Sequence, residues 1–392
     1  MSNFTFRVDK PVEKYLKSDM VFVIMVLLFW GLGIFMLYVC TPYTAERLFK
    51  NRSYFVVRQL LWSAVGMAGL LFFAIVPVRT IKRLLPFLVL GSLLLCFLAI
   101  IPGVGSERKG ATRWLEVFGT FTIQPSEFAK FALVLFLANL FDKQYKIGME
   151  GKQDFYYPLI GLFAFVITIF LQRDFSTGVF LFIVGCIMFF VSGAKMTWFM
   201  PLILLAIPAT VLMITMEPYR LIRVIAFLHP GEYTLTTGYQ EFASQRAITA
   251  GGLWGNGFGS GLNEVFKIPE VQADYVFAGW ADSMGLVGVT FYFFLLFAFL
   301  LRGLGIAFQC RNGFAAYASF GCIMMISLQS LLNCAVVCGV VPTTGIPLPF
   351  FSSGGTALVV TLCMCGFIIN ASHCPSDEEY EEEFAVEGID HE

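Results

Sequence analysis

Ten apolar runs set the terms for this chain. They lie at about 20–41, 58–77, 84–102, 122–141, 157–172, 175–193, 197–215, 275–301, 314–341 and 351–371. Each reaches or approaches the length a helix needs to cross hydrocarbon. Backbone in lipid must satisfy its own hydrogen bonds, so the runs predict helices. The expected fold is an all-α polytopic membrane protein of about ten transmembrane helices, with a long extracytoplasmic loop between helices seven and eight. With 58% hydrophobic and 14% charged residues, a soluble domain of 392 residues is excluded. Residues 1–19 form a cytoplasmic N-terminal segment, 20–371 the membrane domain with its loop at 216–273, and 372–392 an acidic cytoplasmic tail. The first run is too long for a signal-peptide core and is expected to stay as an uncleaved anchor. The ten cysteines are scattered, most of them inside the runs, and read as small packing residues rather than a disulfide or zinc framework.

Charge orients the spans weakly. Lys10, Lys14 and Lys17 before the first run, Arg79, Lys82 and Arg83, and Lys143, Lys146 and Lys152 favour a cytoplasmic N-terminus. The full Lys and Arg tally is nearly even on the two sides, because Arg108, Lys109, Arg113, Arg173, Arg220, Arg223, Arg246 and Lys267 fall outside, near membrane ends. One such residue reads as snorkelling to headgroups. Together they read as an outward-facing site for an anionic, phosphate-bearing lipid. The acidic tail from Asp377 carries nine of the 27 acidic residues and no Lys or Arg. It reads as a solvated end. No nucleic-acid partner is expected.

Asp274 stands directly before the eighth run, in Pro269-Glu270-Val271-Gln272-Ala273-Asp274-Tyr275. A carboxylate at the mouth of a span is costly to keep near lipid and marks a functional candidate. Upstream, Lys109-Gly110-Ala111-Thr112-Arg113-Trp114-Leu115 precedes Gln124-Pro125-Ser126-Glu127-Phe128-Ala129-Lys130. Pro125 and Ser126 predict a helix start. Glu127 and Lys130, three apart, share a helical face and can pair inside the membrane, as a structural clip or as part of a site. In Gln172-Arg173-Asp174-Phe175-Ser176-Thr177-Gly178, Asp174 would hold a cation or a positive residue, or cap the sixth span. The long loop holds Tyr219-Arg220, Arg223, His229-Pro230 and Gly238-Tyr239-Gln240. Its Gly251-Gly252 and Gly255-Asn256-Gly257-Phe258-Gly259-Ser260-Gly261 stretches read as close backbone turns beside a groove, not as a phosphate loop. Last, Pro342-Thr343-Thr344-Gly345-Ile346-Pro347-Leu348-Pro349-Phe350-Phe351-Ser352-Ser353-Gly354-Gly355 breaks helix at membrane depth, which is tolerated only where backbone is buried in protein or lines a cavity.

These blocks, spread over about 103–371, together resemble the shape, elongation, division and sporulation glycosyltransferases, the family of FtsW and RodA. The chain departs from the family pattern in several places. Ser353 replaces a Tyr, Gln272-Ala273 a His-Thr, Asp282-Ser283 a pair of Glu, His229 an Asp, and Arg173-Asp174-Phe175-Ser176 a Pro-Asp-x-Gly. Tyr54-Phe55-Val56-Val57-Arg58-Gln59-Leu60 is similar to the division branch, the FtsW-like chains, more than to the elongation branch.

The resemblance implies polymerisation of lipid II, the polyprenyl-pyrophosphate-linked disaccharide-peptide, with inversion at the anomeric carbon. It assigns Asp274 as the catalytic residue, taking the proton of the acceptor hydroxyl. The substrate-binding candidates are Arg113, Gln124, Ser126, Glu127, Lys130, Asp174, Arg223, Arg246, Lys267, Glu270, Asn333, Ser352 and Ser353. Cationic residues, or a divalent cation such as magnesium or manganese whose ligands the sequence leaves unspecified, would stabilise the leaving pyrophosphate. The implied partner is a class B penicillin-binding protein with other divisome or elongasome proteins. The implied location is the bacterial inner membrane, with the site facing the periplasm. A lipid II flippase and a division scaffold are the competing readings. The first predicts polar residues on several spans at membrane depth, whereas the motif residues here gather at the outer ends.

Overall fold

The computed structural model describes residues 18–108, 111–117, 121–148, 155–194, 217–229, 238–258 and 265–374, with isolated positions between 204 and 215. Lys10, Lys14, Lys17, Lys109, Lys152, most of the seventh predicted span, Pro230, Gly259, Ser260, Gly261 and the acidic tail lie outside them.

Nine of the apolar runs become helices: α1 (Met20–Cys40), α3 (Tyr54–Ile75), α4 (Val78–Leu98), α5 (Pro125–Gly148), α6 (Tyr156–Leu171), α7 (Phe175–Val191), α10 (Val276–Gln309), α11 (Gly313–Val337) and α12 (Gly355–Ala371). Among the described residues, α1, α3, α4, α10 and α11 are long and apolar enough to cross a membrane. Three further helices, α2 (Pro42–Phe49), α8 (Pro218–Leu228) and α9 (Tyr239–Gly251), lie in connections that read as loop. Between α4 and α5 sits a three-stranded antiparallel sheet ordered β1 (Gly105–Arg108), β2 (Ala111–Val117), β3 (Phe121–Ile123). It is an addition to the all-helical membrane domain. Leu115 is the pivot of its register, opposite Gly105 on one side and Ile123 on the other.

Both ends of the membrane domain meet on one face. The Asp19 side chain caps α1 by accepting from the Phe22 N–H at 3.0 Å, while its own N–H donates to Oγ of Ser372, just past α12, at 3.1 Å. The Asp19 carboxylate also pairs with Arg302 near the far end of α10 at 2.6 Å. Asp19, Ser372 and Arg302 thus mark one face of the described residues. Asp274, at the other end of α10, therefore lies on the opposite face.

Helix α11 is buried along most of its length, against α5 on one side and α10 on the other. Helices α3 and α4 turn Leu61, Leu71, Ile75, Phe87, Leu90 and Leu94 outward. Such a girdle is stable only against hydrocarbon. Helix α3 runs along α12, and the approach is set by small residues. A Cβ at Gly366 would collide with the carbonyl of Leu70, and one at Gly66 with the Leu362 side chain. Close backbone approach is what holds helices together where lipid removes the hydrophobic drive.

Helix α10 is broken at Gly285, whose φ of 63° leaves the helical region. The strap after α9 fills the break. Leu286 and Val287 donate their N–H groups to the carbonyls of Gly252 and Leu253, and the carbonyls of Asp282 and Ser283 accept from Asn256 and Gly257. The described part of the glycine-rich stretch turns at Gly252, Gly255 and Gly257, each at positive φ, and the surface it packs on is the interrupted helix.

Gly366→Ala should lower the melting temperature of the purified protein, because overpacking of this kind costs about 1–3 kcal/mol. Gly91→Ala, where an added methyl meets nothing within 4 Å, should leave it near wild type. Equal melting of all three proteins would contradict the close α3–α12 contact.

Candidate active site

Asp274 opens onto a cavity of about 210 Å³ lined by three separate stretches of chain. Arg113, Trp114 and Gln124 come from β2 and the start of α5. Glu270, Ala273 and Asp274 come from the turn before α10. Gly345, Pro347, Ser352, Ser353, Gly354, Thr356 and Ala357 come from the irregular segment between α11 and α12 and the first turn of α12. The N-terminal end of α12 faces this space, and its dipole favours negative charge there.

The walls are held by side chains that reach for backbone. Asn333, buried on α11, donates from Nδ2 to the carbonyls of Asp274 and Ile346, each at 2.9 Å. One amide thereby ties the aspartate turn to the opposite wall. The Ser353 N–H donates to the Gln272 carbonyl at 2.7 Å and makes the second tie. Gln59 on α3 donates to the Ser352 carbonyl at 3.0 Å, and the Ser352 hydroxyl accepts from the Leu348 N–H at 2.8 Å. The Gly345 backbone, with φ of 71°, faces Asp274: a Cβ placed there would stand 3.6 Å from the carboxylate Oδ2.

Beneath the floor lies a chain of buried polar groups. Glu127 and Lys130 pair at 2.7 Å, both almost wholly buried. Lys130 also donates to Oε1 of Gln329 at 2.8 Å, and Gln329 passes the link on by donating to the Pro347 carbonyl at 2.9 Å. The pair is therefore a clip that supports the cavity wall, without lining the cavity. A second buried group holds the cationic wall. Arg113 donates to Oδ1 of Asp174 at 3.2 Å, and Gln124 lies 3.4 Å from Oδ2. Asp174 occupies the N-cap position of α7 but makes no capping hydrogen bond; its carboxylate serves Arg113 instead. Ser126 receives a bond from Gln124 at 3.1 Å.

Of the predicted site residues, Asp274, Arg113, Gln124, Glu270, Ser352 and Ser353 line the cavity. Ser126, Glu127, Lys130, Asp174 and Asn333 stand behind it. Arg223, Arg246 and Lys267 stand apart from the lining. Arg223 donates to the Thr343 carbonyl at 3.3 Å, Arg246 is exposed with its guanidinium over the Phe242 ring, and Lys267 is exposed. Gln59, Gln329, Glu241 and Thr356 support the site without having been singled out for it. The signal available for Gln59 and Gln329 was an uncharged amide inside an apolar run. Glu241, on α9, is buried, and its Oε1 accepts from the Thr343 N–H at 3.1 Å. Burial holds its carboxyl above the usual range, and the Thr343 N–H and the Arg223 charge offset only part of that rise.

The family described as a cell cycle protein and defined by FtsW, RodA and SpoVE matches residues 19–376. Stage V sporulation protein E of Bacillus subtilis is 34% identical over 360 residues, covering 92% of this chain and 98% of its own. A probable peptidoglycan glycosyltransferase FtsW of Geobacter metallireducens is 31% identical over 94% of this chain and 98% of its own. Among solved structures, a chain of a peptidoglycan synthase complex that coordinates polymerisation and crosslinking superposes with a TM-score of 0.74 at 28% identity, over 91% of this chain and 98% of its own. The rod shape determining protein RodA of Thermus thermophilus shares the fold, with a TM-score of 0.67 at 23% identity over 92% and 98% of the two chains. The family match runs from the first helix past the last, and both relatives cover more than nine tenths of the chain, so the chain belongs to the FtsW/RodA/SpoVE family.

Proposed function

We propose that this chain is a peptidoglycan glycosyltransferase that polymerises lipid II into glycan strands, on the division side of the family. One observation carries the reading: Asp274 and Arg113 line the same small cavity. A base and a cation facing one space are what the transfer needs. The acceptor C4 hydroxyl is a poor nucleophile and must lose its proton as it attacks the anomeric carbon. The departing lipid pyrophosphate carries negative charge. Asp274 takes the proton. Arg113, oriented by the buried Asp174 carboxylate, faces the leaving group with a planar fork suited to phosphate oxygens. The cavity is smaller than a pocket for a whole drug-sized ligand, about 300 Å³ or more, so it takes the reacting end of the substrate while the lipid stays in the membrane.

Among the described residues no cluster of three or more His, Cys, Asp or Glu is gathered, so no all-protein metal cage stands here. A magnesium or manganese ion fits in another way. With Asp274 serving the acceptor, Glu270 is the cavity-wall carboxylate that could hold it, since such ions commonly take one or two carboxylates with water and substrate phosphate filling the rest. Bound there, it would neutralise pyrophosphate charge. The site lies on the face opposite Asp19 and Ser372, which is the outer face of the bacterial inner membrane if the chain enters α1 from the cytoplasm. The product is an uncrosslinked strand, so the partner is a crosslinking enzyme, a class B penicillin-binding protein.

Labelled lipid II given to the purified protein with that partner tests the reading. Polymer is expected from wild type, and Asp274→Asn should lower turnover by about 10²–10⁴-fold, the usual worth of general base catalysis. Full activity in the folded variant would refute the role of Asp274. No polymer from a well-folded wild-type complex would turn the reading toward transport.

The candidate cations separate in the same assay. Arg113→Ala should cost about 10²-fold in turnover at saturating lipid II, as loss of one charge-stabilising donor does elsewhere. Lys267→Ala, exposed and away from the lining, should cost far less. The reverse order would move the pyrophosphate out of this cavity.

A further inference from the structure

Thr343 is held at both of its backbone polar atoms by the extracytoplasmic loop. Its N–H donates to Oε1 of Glu241 at 3.1 Å, and its carbonyl accepts from Nη1 of Arg223 at 3.3 Å. The two side chains come from different helices, Arg223 from α8 and Glu241 from the first turn of α9. Helix α9 is itself pinned to the end of α11, where Ser244 donates to the Val337 carbonyl at 3.0 Å.

The position of Thr343 gives the grip its meaning. Two residues on, Gly345 faces the Asp274 carboxylate. One residue further, the Ile346 carbonyl is fixed by Asn333, which also fixes the Asp274 carbonyl. The stretch from Thr343 to Ile346 is thus strung between two anchors: Asn333 at the site and the Glu241–Arg223 clamp at the loop. Pro342 and Pro347 bound it and can donate no backbone hydrogen bond. Nothing else in the stretch gives it a helical or sheet ladder, so side chains must hold it.

A buried carboxylate is a costly way to satisfy one amide, since a neutral oxygen could accept the same bond. A charged acceptor makes for a stronger bond, and the Arg223 charge, at the carbonyl of the same residue, offsets part of the burial. We propose that Glu241, with Arg223, is a positioning residue for glycosyl transfer, clamping the Thr343 peptide so that the Gly345 wall stays in place opposite Asp274. The role in transfer rests on the glycosyltransferase reading; the clamp itself does not. Displacement of that wall by about 1 Å is enough to cost around 10²-fold in rate.

The test compares Glu241→Ala with Glu241→Gln in the full chain in lipid nanodiscs. Hydrogen exchange is followed in the peptide covering 342–348, and lipid II polymerisation is measured with the partner present. Glu241→Ala should speed exchange in that peptide by about tenfold or more, a local opening that leaves α3 and α12 protected. Turnover should fall by about 10–100-fold with little change in KM. Glu241→Gln keeps an acceptor oxygen and should restore most of the protection and most of the turnover. Unchanged exchange in Glu241→Ala, or equal loss of turnover in both variants, would overturn the proposal. If Glu241→Ala does not fold, Arg223→Gln reads the other half of the clamp: faster exchange at 342–348 supports it and unchanged exchange overturns it. A wild type that makes no polymer would remove the glycosyltransferase reading, and the exchange comparison would still decide the clamp.

Discussion

Backbone that leaves a helix at membrane depth has to find its hydrogen bonds inside the protein, and the rest of this structure depends on how that demand is met. Between α11 and α12 the chain runs irregularly through Pro342, Pro347 and Pro349. Its polar atoms are met one by one by side chains on helices: Gln329 at the Pro347 carbonyl, Asn333 at Ile346, Gln59 at Ser352 and the Glu241–Arg223 clamp at Thr343. The cavity exists because this segment does not close into a helix. The fixed amides of α3 and α11 make the opening rigid. Helix α10 solves the same problem at Gly285 with backbone from the strap after α9.

Charges follow the same rule. Glu127, Lys130 and Asp174 are almost fully buried, and none is left to face lipid. A buried ion pair is weak evidence for stability, since desolvation consumes much of the attraction. Here the geometry gives a better reason for keeping the charges. Lys130 is the first link of a chain that ends on the Pro347 carbonyl, and Asp174 fixes the guanidinium that faces the cavity. Electrostatic preorganisation of this kind is most effective where water is scarce, because the groups need not reorient as charge develops.

Hydropathy was enough to place α1, α3 to α7 and α10 to α12, because membrane spans must be long and apolar. The helix start at Pro125 and the Glu127–Lys130 pairing were legible for an equally local reason: fixed φ, a missing N–H and a spacing of three. The sheet was not. Two of its strands run only four and three residues, and the seven of β2 do not alternate, with Thr112-Arg113 and Trp114-Leu115 side by side. Helices α2, α8 and α9 were lost inside connections, where no long apolar run announces them. The break at Gly285 hid in an apolar run that looked continuous.

The site divides in the same way. Asp274, Arg113, Gln124, Ser352 and Ser353 stood in recognisable strings, and they do meet at one cavity. Gln59 and Glu241 did not stand out, because each serves a backbone atom far away in sequence. Gln59 and Ser352 are 293 positions apart, and Glu241 and Thr343 are 102 apart. A side chain that serves a distant peptide leaves no periodicity, and its partner can be any residue type, since only the partner's N–H or carbonyl is used. The same logic explains why Arg223 and Arg113 could not be told apart beforehand. Both are arginines near an outer membrane end, and only the fold decides that one faces the cavity while the other grips the wall from behind.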